Sequence, residues 1–162
     1  MRILVISDSH RNIHALNTVI SRHPDIKHIF FLGDNADDID GIRDSFKDRI
    51  FHVVSGNCDF ASTYKGAAIE AVENTRIFYC HGHRQNVKYT LEVLKNTARE
   101  NNCTLALFGH THKSVCCYDD GVYLVNPGSC SSSREGPDSY AIIDITQKGI
   151  MPSILPVKRN NI

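Results

Sequence analysis

Apolar residues along the chain fall into short runs, each ended by a polar or glycine-containing segment. Runs rich in Val, Ile, Leu, Phe and Tyr predict strands near residues 2–7, 28–33, 50–55, 76–80, 104–108, 121–125 and 140–145. Several, such as Ile3-Leu4-Val5-Ile6, are apolar at consecutive positions, the pattern of strands covered on both faces. Between the first two runs Ile13, Leu16, Val19 and Ile20 recur at helical spacing, and Val87, Leu91, Leu94 and Ala98 do so before the fifth. Ile39, Ile42 and Phe46 predict a shorter helix over 36–46.

The early order of strand, helix, strand, helix, strand implies parallel pairing with right-handed crossovers. The closely spaced later strands allow antiparallel hairpins. The expectation is therefore a mixed-sheet α/β layered fold, with residues 1–162 read as a single domain. Ser129–Ser133 and Arg134 follow the turn-forming Asn126-Pro127-Gly128 and read as a solvated loop.

Composition narrows the function classes. Eighteen basic residues balance eighteen acidic ones and form no cluster, which argues against a dedicated nucleic-acid surface. No apolar run approaches the roughly 18 residues of a membrane span. The first residues are interrupted by Ser7, Asp8 and His10 and lack the long apolar stretch of a signal peptide, so a cytoplasmic location is expected. The six cysteines show no framework spacing and are read as reduced thiols.

Candidate chemistry sits where the apolar runs stop. Ser7-Asp8-Ser9-His10 follows the first run, Gly33-Asp34-Asn35-Ala36-Asp37 the second and Gly56-Asn57-Cys58-Asp59 the third; His81-Gly82-His83 and Gly109-His110-Thr111-His112 follow two later ones. In an open α/β sheet, ligands bind in the crevice beyond the carboxyl ends of the strands. Taken singly, Asp34 reads as a helix cap and Gly56-Asn57 as a tight turn. Together, two carboxylates, one amide and several imidazoles in one crevice point to metal binding. His14, His23, His28 and His52 read as structural residues on helix or strand surfaces.

The ordered set D-x-H, G-D-x-x-D, G-N-x-D, H-G-H and G-H-x-H, running from Asp8 to about Ser129, closely resembles the calcineurin-like metallophosphoesterase superfamily, especially its small bacterial and archaeal phosphodiesterases. The resemblance implies a four-layer αββα sandwich of two mixed sheets flanked by helices. It assigns Asp8, His10 and His112 to one divalent metal ion, Asn57, His81 and His110 to a second, and Asp34 to both; Mn²⁺ leads among candidates that include Fe²⁺, Zn²⁺, Co²⁺ and Ni²⁺. It further implies hydrolysis of a small phosphate ester, with a hydroxide between the two metals attacking phosphorus and Asn57 among the catalytic residues. A homo-oligomer is also implied.

One position departs from the pattern. Many relatives carry a histidine after the asparagine, paired with the second aspartate of G-D-x-x-D. Here Cys58 stands there and Asp37 is the would-be partner, which leaves the general acid open. His83 is a candidate contact to the metal-binding residues or to substrate. The rival expectations are a non-catalytic scaffold like the retromer subunit of the same fold, and a DNA-repair nuclease. No segment outside the metal core reads as a base, sugar or peptide pocket.

Overall fold

The structure of the protein, a computed structural model, describes residues 1–158. Ten strands form two five-stranded mixed sheets. The first contains β1 (Arg2–Ile6), β2 (His28–Phe31), β3 (Ile50–Val53), β9 (Ser139–Thr146) and β10 (Gly149–Pro156), ordered β10-β9-β1-β2-β3. The second contains β4 (Ala67–Val72), β5 (Thr75–Cys80), β6 (Leu105–Leu107), β7 (Ser114–Asp119) and β8 (Val122–Pro127), ordered β4-β5-β6-β8-β7. β1, β2 and β3 run parallel, as do β5, β6 and β8, while β4, β7, β9 and β10 pair antiparallel with their neighbours.

The consecutive apolar residues of β1 explain the layering. Ile3 and Val5 point into the core between the sheets, where they meet Ile77, Tyr79, Leu105 and Leu107 of the second sheet. Leu4 and Ile6 point the other way, against α1 (Ile13–Ser21) and α2 (Asp37–Ile42). On the far side of the second sheet, Phe78, Ala106 and Leu124 pack on Leu94 and Ala98 of α3 (Glu92–Glu100). The result is the expected helix, sheet, sheet, helix sandwich. Burying each such side chain contributes about 1.5–3 kcal/mol, so the inter-sheet core and the two helix-covered faces all hold the layers together.

Several local expectations are corrected. β4, β7 and β10 are strands that the apolar pattern does not reveal. β4 is half-exposed and alanine-rich, β7 is an edge strand exposed along most of its length, and β10 carries Pro152 and Pro156 at the sheet edge, where prolines are tolerated. The second helix begins at Glu92 rather than near Val87, with Thr90 Oγ1 accepting from Glu92 N at its start. Val87 lies in a turn, and its amide bonds to the Gly82 carbonyl. Over 36–46 the chain forms α2 followed by a 3-10 turn at Arg43–Phe46. In α1, Ile13 faces outward, 41% exposed.

His52 is likewise not on the surface. Its ring stacks on Phe30 at 4.3 Å, with Tyr79 edge-on and His28 Nδ1 3.0 Å from its Nε2, because the second sheet closes over it. All six cysteines are free, in line with expectation. Among the described residues no helix is long and apolar enough to cross a membrane.

Candidate metal centre

Five parallel strands, β1, β2 and β3 from one sheet and β5 and β6 from the other, end at one edge of the sandwich. Each is followed by a sharp reversal that turns polar side chains into the crevice. The reversals are strained: Asp8 (φ 55°), His10 (45°), Asp34 (59°), His110 (68°) and His112 (59°) all take left-handed backbone. Such non-glycine conformations cost of order 1–3 kcal/mol each and persist where the surroundings enforce them, often at functional sites.

Asp8, His10, Asp34 and His112 form one cluster, each offering a ligand atom within 4.8 Å of the others. His10 Nε2 and His112 Nε2 are 3.0 Å apart, and His112 Nε2 lies 3.4 Å from Asp8 Oδ1. The second half centres on His81 Nε2, which is 3.1 Å from Asn57 Oδ1, 3.2 Å from His110 Nδ1 and 3.4 Å from Asp34 Oδ1. Asp34 therefore faces both clusters. The seven residues expected as ligands are brought together.

The donor set fits cations. Ligands bonded at about 2.0–2.2 Å with near-octahedral to tetrahedral angles lie roughly 2.9–3.5 Å from one another, the spacing of the closest donor pairs here, while His10 Nε2 and Asp34 Oδ2 are 3.9 Å apart. The tautomers point the same way. His81 Nδ1–H donates to the Leu32 carbonyl at 2.7 Å and His112 Nδ1–H to the Ser132 carbonyl at 2.7 Å. Each Nε2 lone pair is thereby left facing other acceptors, an arrangement that a cation resolves. Asp8 Oδ1 is buried and accepts no hydrogen bond.

Electrostatics preset the charge states. Burial works to raise the Asp8 pKa, yet His112, His81 and Ser7 together hold it below the ordinary carboxylate value. His110 is pushed down to about 4, first by burial and then by His81 and Lys88, so its imidazole is neutral at neutral pH and free to bind a metal. His112 is raised, first by its contact with Asp8.

Glycines before the ligands leave room for them. A Cβ on Gly56 would sit 2.2 Å from Asp34 Oδ1, and one on Gly109 would sit 2.0 Å from Ser7 Oγ and 2.9 Å from Asp8 Oδ2.

The supporting shell contains residues that sequence reasoning did not assign. The Asp59 carboxylate accepts four backbone N–H bonds, from Asn35 (2.8 Å) and Ala36 (2.9 Å) on one oxygen and from Gly56 (2.7 Å) and Asp34 (3.0 Å) on the other. It ties the β2 and β3 reversals together. Asp38 accepts from Ser9 Oγ (2.7 Å) and Arg11 N (3.0 Å), bracing the β1 reversal, whereas Asp37 lies exposed in the first turn of α2. The serine segment after β8 is a loop, as expected, with Ser132 and Arg134 exposed, but its first residues are not solvated. Ser129 Oγ donates to the Asp8 carbonyl and Ser131 Oγ to the Ser9 carbonyl, while Asn126 Nδ2 holds the Gly109 carbonyl.

Two further expected residues sit on the rim. Cys58 is exposed; its amide donates to Asp34 Oδ1 at 3.0 Å, and its thiol is pushed up to about 11, first by desolvation and then by Asp34. His83 lies beside the second cluster, its ring 5.5 Å from His81 and 6.1 Å from His110.

Comparison with known proteins places this arrangement in context. The profile of the calcineurin-like phosphoesterase superfamily domain matches residues 1–148. The chain is 31% identical over 147 residues to the probable metallophosphoesterase YsnB of Bacillus subtilis, covering 90% of this chain and 85% of that protein. A predicted phosphoesterase from Streptococcus pneumoniae superposes with a TM-score of 0.82 at 25% identity, covering 96% and 89% of the two chains. Vps29 from Entamoeba histolytica, solved with Zn²⁺, shares the fold with a TM-score of 0.72 at 21% identity, covering 98% and 100%.

Proposed function

The chain belongs to the calcineurin-like phosphoesterase superfamily, and from that premise we propose that it is a dinuclear metal-dependent phosphodiesterase acting on a small phosphate ester. The observation that carries the reading is the convergence of Asp8, His10, Asp34, Asn57, His81, His110 and His112 from five strand ends at coordination spacing.

When bound, two divalent cations would neutralise the phosphoryl oxygens and lower the pKa of water so that hydroxide is available near neutral pH to attack phosphorus. The chain's own groups set this up. Asp34, facing both clusters, keeps the two positions adjacent. Leu32 and Ser132 carbonyls fix the tautomers of His81 and His112. Neutral His110 offers its lone pair without first losing a proton. Asn57, exposed on the rim, would also be open to contact with the ester. The complete donor set supports an enzyme over a scaffold of the same fold.

No imidazole occupies position 58, and a thiol raised to about 11 is a weak acid at neutral pH. Leaving groups must therefore depart largely unassisted, and aryl diesters should react faster than alkyl ones, since a positioned acid typically contributes roughly a hundredfold to ten-thousandfold. The test is hydrolysis of bis(p-nitrophenyl) phosphate. Chelation should abolish it and Mn²⁺ should restore it, while full activity in metal-free protein would refute the mechanism.

A further inference from the structure

Beside the metal centre lies a cavity of about 480 Å³ that the metal chemistry does not use. Its floor is apolar, formed by Leu91, Phe108 and Val115. Thr111, set between His110 and His112, forms the wall shared with the centre. The rim carries Lys88, Lys113 and Arg134, together with Tyr89, whose ring is 85% exposed. Lys113 is neutralised by Glu135, but no carboxylate pairs with Lys88 or Arg134 among the described residues.

An apolar floor, an exposed aromatic ring and two unpaired cations next to a phosphoryl-binding centre form a composite surface. Lys88 and Arg134 line this same cavity, so both cations stand on the side of the centre that Thr111 closes. The Arg134 amide donates to the His112 carbonyl at 3.1 Å, which fixes its backbone to the metal-ligand loop. A flat ring resting on Tyr89 would gain stacking, and a second anion would meet Lys88 or Arg134. The size is within the range of whole-ligand pockets.

Building on the phosphodiesterase reading, we infer that this cavity holds one arm of the diester substrate and selects an arm that is a nucleotide, an aromatic base joined to a second phosphate. The apolar floor and Tyr89 take the base; Lys88 and Arg134 take the additional charge. A substrate with only one of these features fills only part of the surface.

The experiment measures binding of adenosine 5′-monophosphate, adenosine and ribose 5-phosphate to the full chain, metal-free and Mn²⁺-loaded, by amide NMR shifts and calorimetry. In metal-free protein the Asp8 and Asp34 carboxylates repel phosphate, so binding there reports on the cavity. Adenosine 5′-monophosphate should bind at least about tenfold more tightly than either fragment, shifting the amides of residues 87–91 and 115. Tyr89→Ala should weaken it about tenfold, and Lys88→Gln with Arg134→Gln should remove the advantage over adenosine. All three positions are exposed, and unchanged melting temperatures will confirm that the variants fold. Equal binding of adenosine and the nucleotide, equal binding of ribose 5-phosphate, or no binding at all would overturn the inference. Turnover of bis(p-nitrophenyl) phosphate by the same preparation separately tests the phosphodiesterase reading, so failure of one is distinguishable from failure of the other.

Discussion

Replacing Asp59 with Asn probes the scaffold beneath the metal centre without touching a ligand. Its carboxylate accepts four backbone N–H bonds of 2.7–3.0 Å, two on each oxygen. In Asn one oxygen becomes an NH₂ group, which confronts two N–H donors with a third donor. Hydrogen bonds to a charged acceptor contribute about 1.5–3 kcal/mol each. Asp59 is only partly buried, so water recovers some of the loss, and the net destabilisation should be on the order of 3 kcal/mol. For a chain of this size that lowers the melting temperature by about 6–12 °C. The reversals bearing Asp34 and Asn57 would also loosen, and loss of such an outer contact typically costs about 10–100-fold in metal affinity. Differential scanning fluorimetry of metal-free protein and Mn²⁺ titration would read the two effects. Asp37→Asn is the control: that carboxylate is exposed in the first turn of α2 and its loss should cost less than about 1 kcal/mol. If Asp59→Asn matches wild type in both measurements, or Asp37→Asn is the more damaging, the reasoning about the support of the site is wrong.

Two other outcomes follow from the structure. Gly56→Ala places a methyl 2.2 Å from Asp34 Oδ1 and 2.6 Å from Asp34 N, so metal binding should collapse along with about 1–3 kcal/mol of stability; Gly41→Ala in α2, whose Cβ would meet nothing closer than Ile13 Cδ1 at 3.9 Å, should stabilise by about 0.4–1 kcal/mol, and equal behaviour of the two would count against the packing argument. Burial, reinforced by His28 and opposed by Glu70, lowers the His52 pKa, so the unfolded chain binds its proton first; stability from this group is fully present above the unfolded value of about 6.5 and is lost as pH falls toward the folded pKa. Urea unfolding across that interval should show a shallower pH slope in His52→Phe than in wild type, and identical slopes would contradict the assignment.

The layered fold and the convergence of the candidate ligands were legible in the sequence for the same physical reason. Strands covered on both faces are continuously apolar, as in Ile3–Ile6, so a polar residue ending such a run marks the edge of the sheet where ligands gather. Edge strands lack that signal. β7 is exposed at all but Val115 and β10 includes two prolines, so neither stood out. The supporting carboxylates were hidden because their role is set by loop geometry: Asp38 rather than Asp37 turns inward, a difference of one residue that spacing cannot decide. Asp59 could have been suspected from G-N-x-D, since an aspartate just past a tight turn often accepts backbone N–H bonds. The cavity could not be read at all. It gathers Tyr89, Phe108, Val115 and Arg134 from separate segments, and only the fold makes them neighbours.

The most direct test of the dinuclear account is the metal content of the purified chain after Mn²⁺ loading and removal of free ion, measured by elemental analysis for wild type, His10→Ala and Asp34→Ala. The account predicts about two ions per chain in wild type, about one in His10→Ala and fewer still in Asp34→Ala, because Asp34 alone faces both clusters. A single ion in wild type, or Asp34→Ala retaining as much metal as wild type, would contradict it.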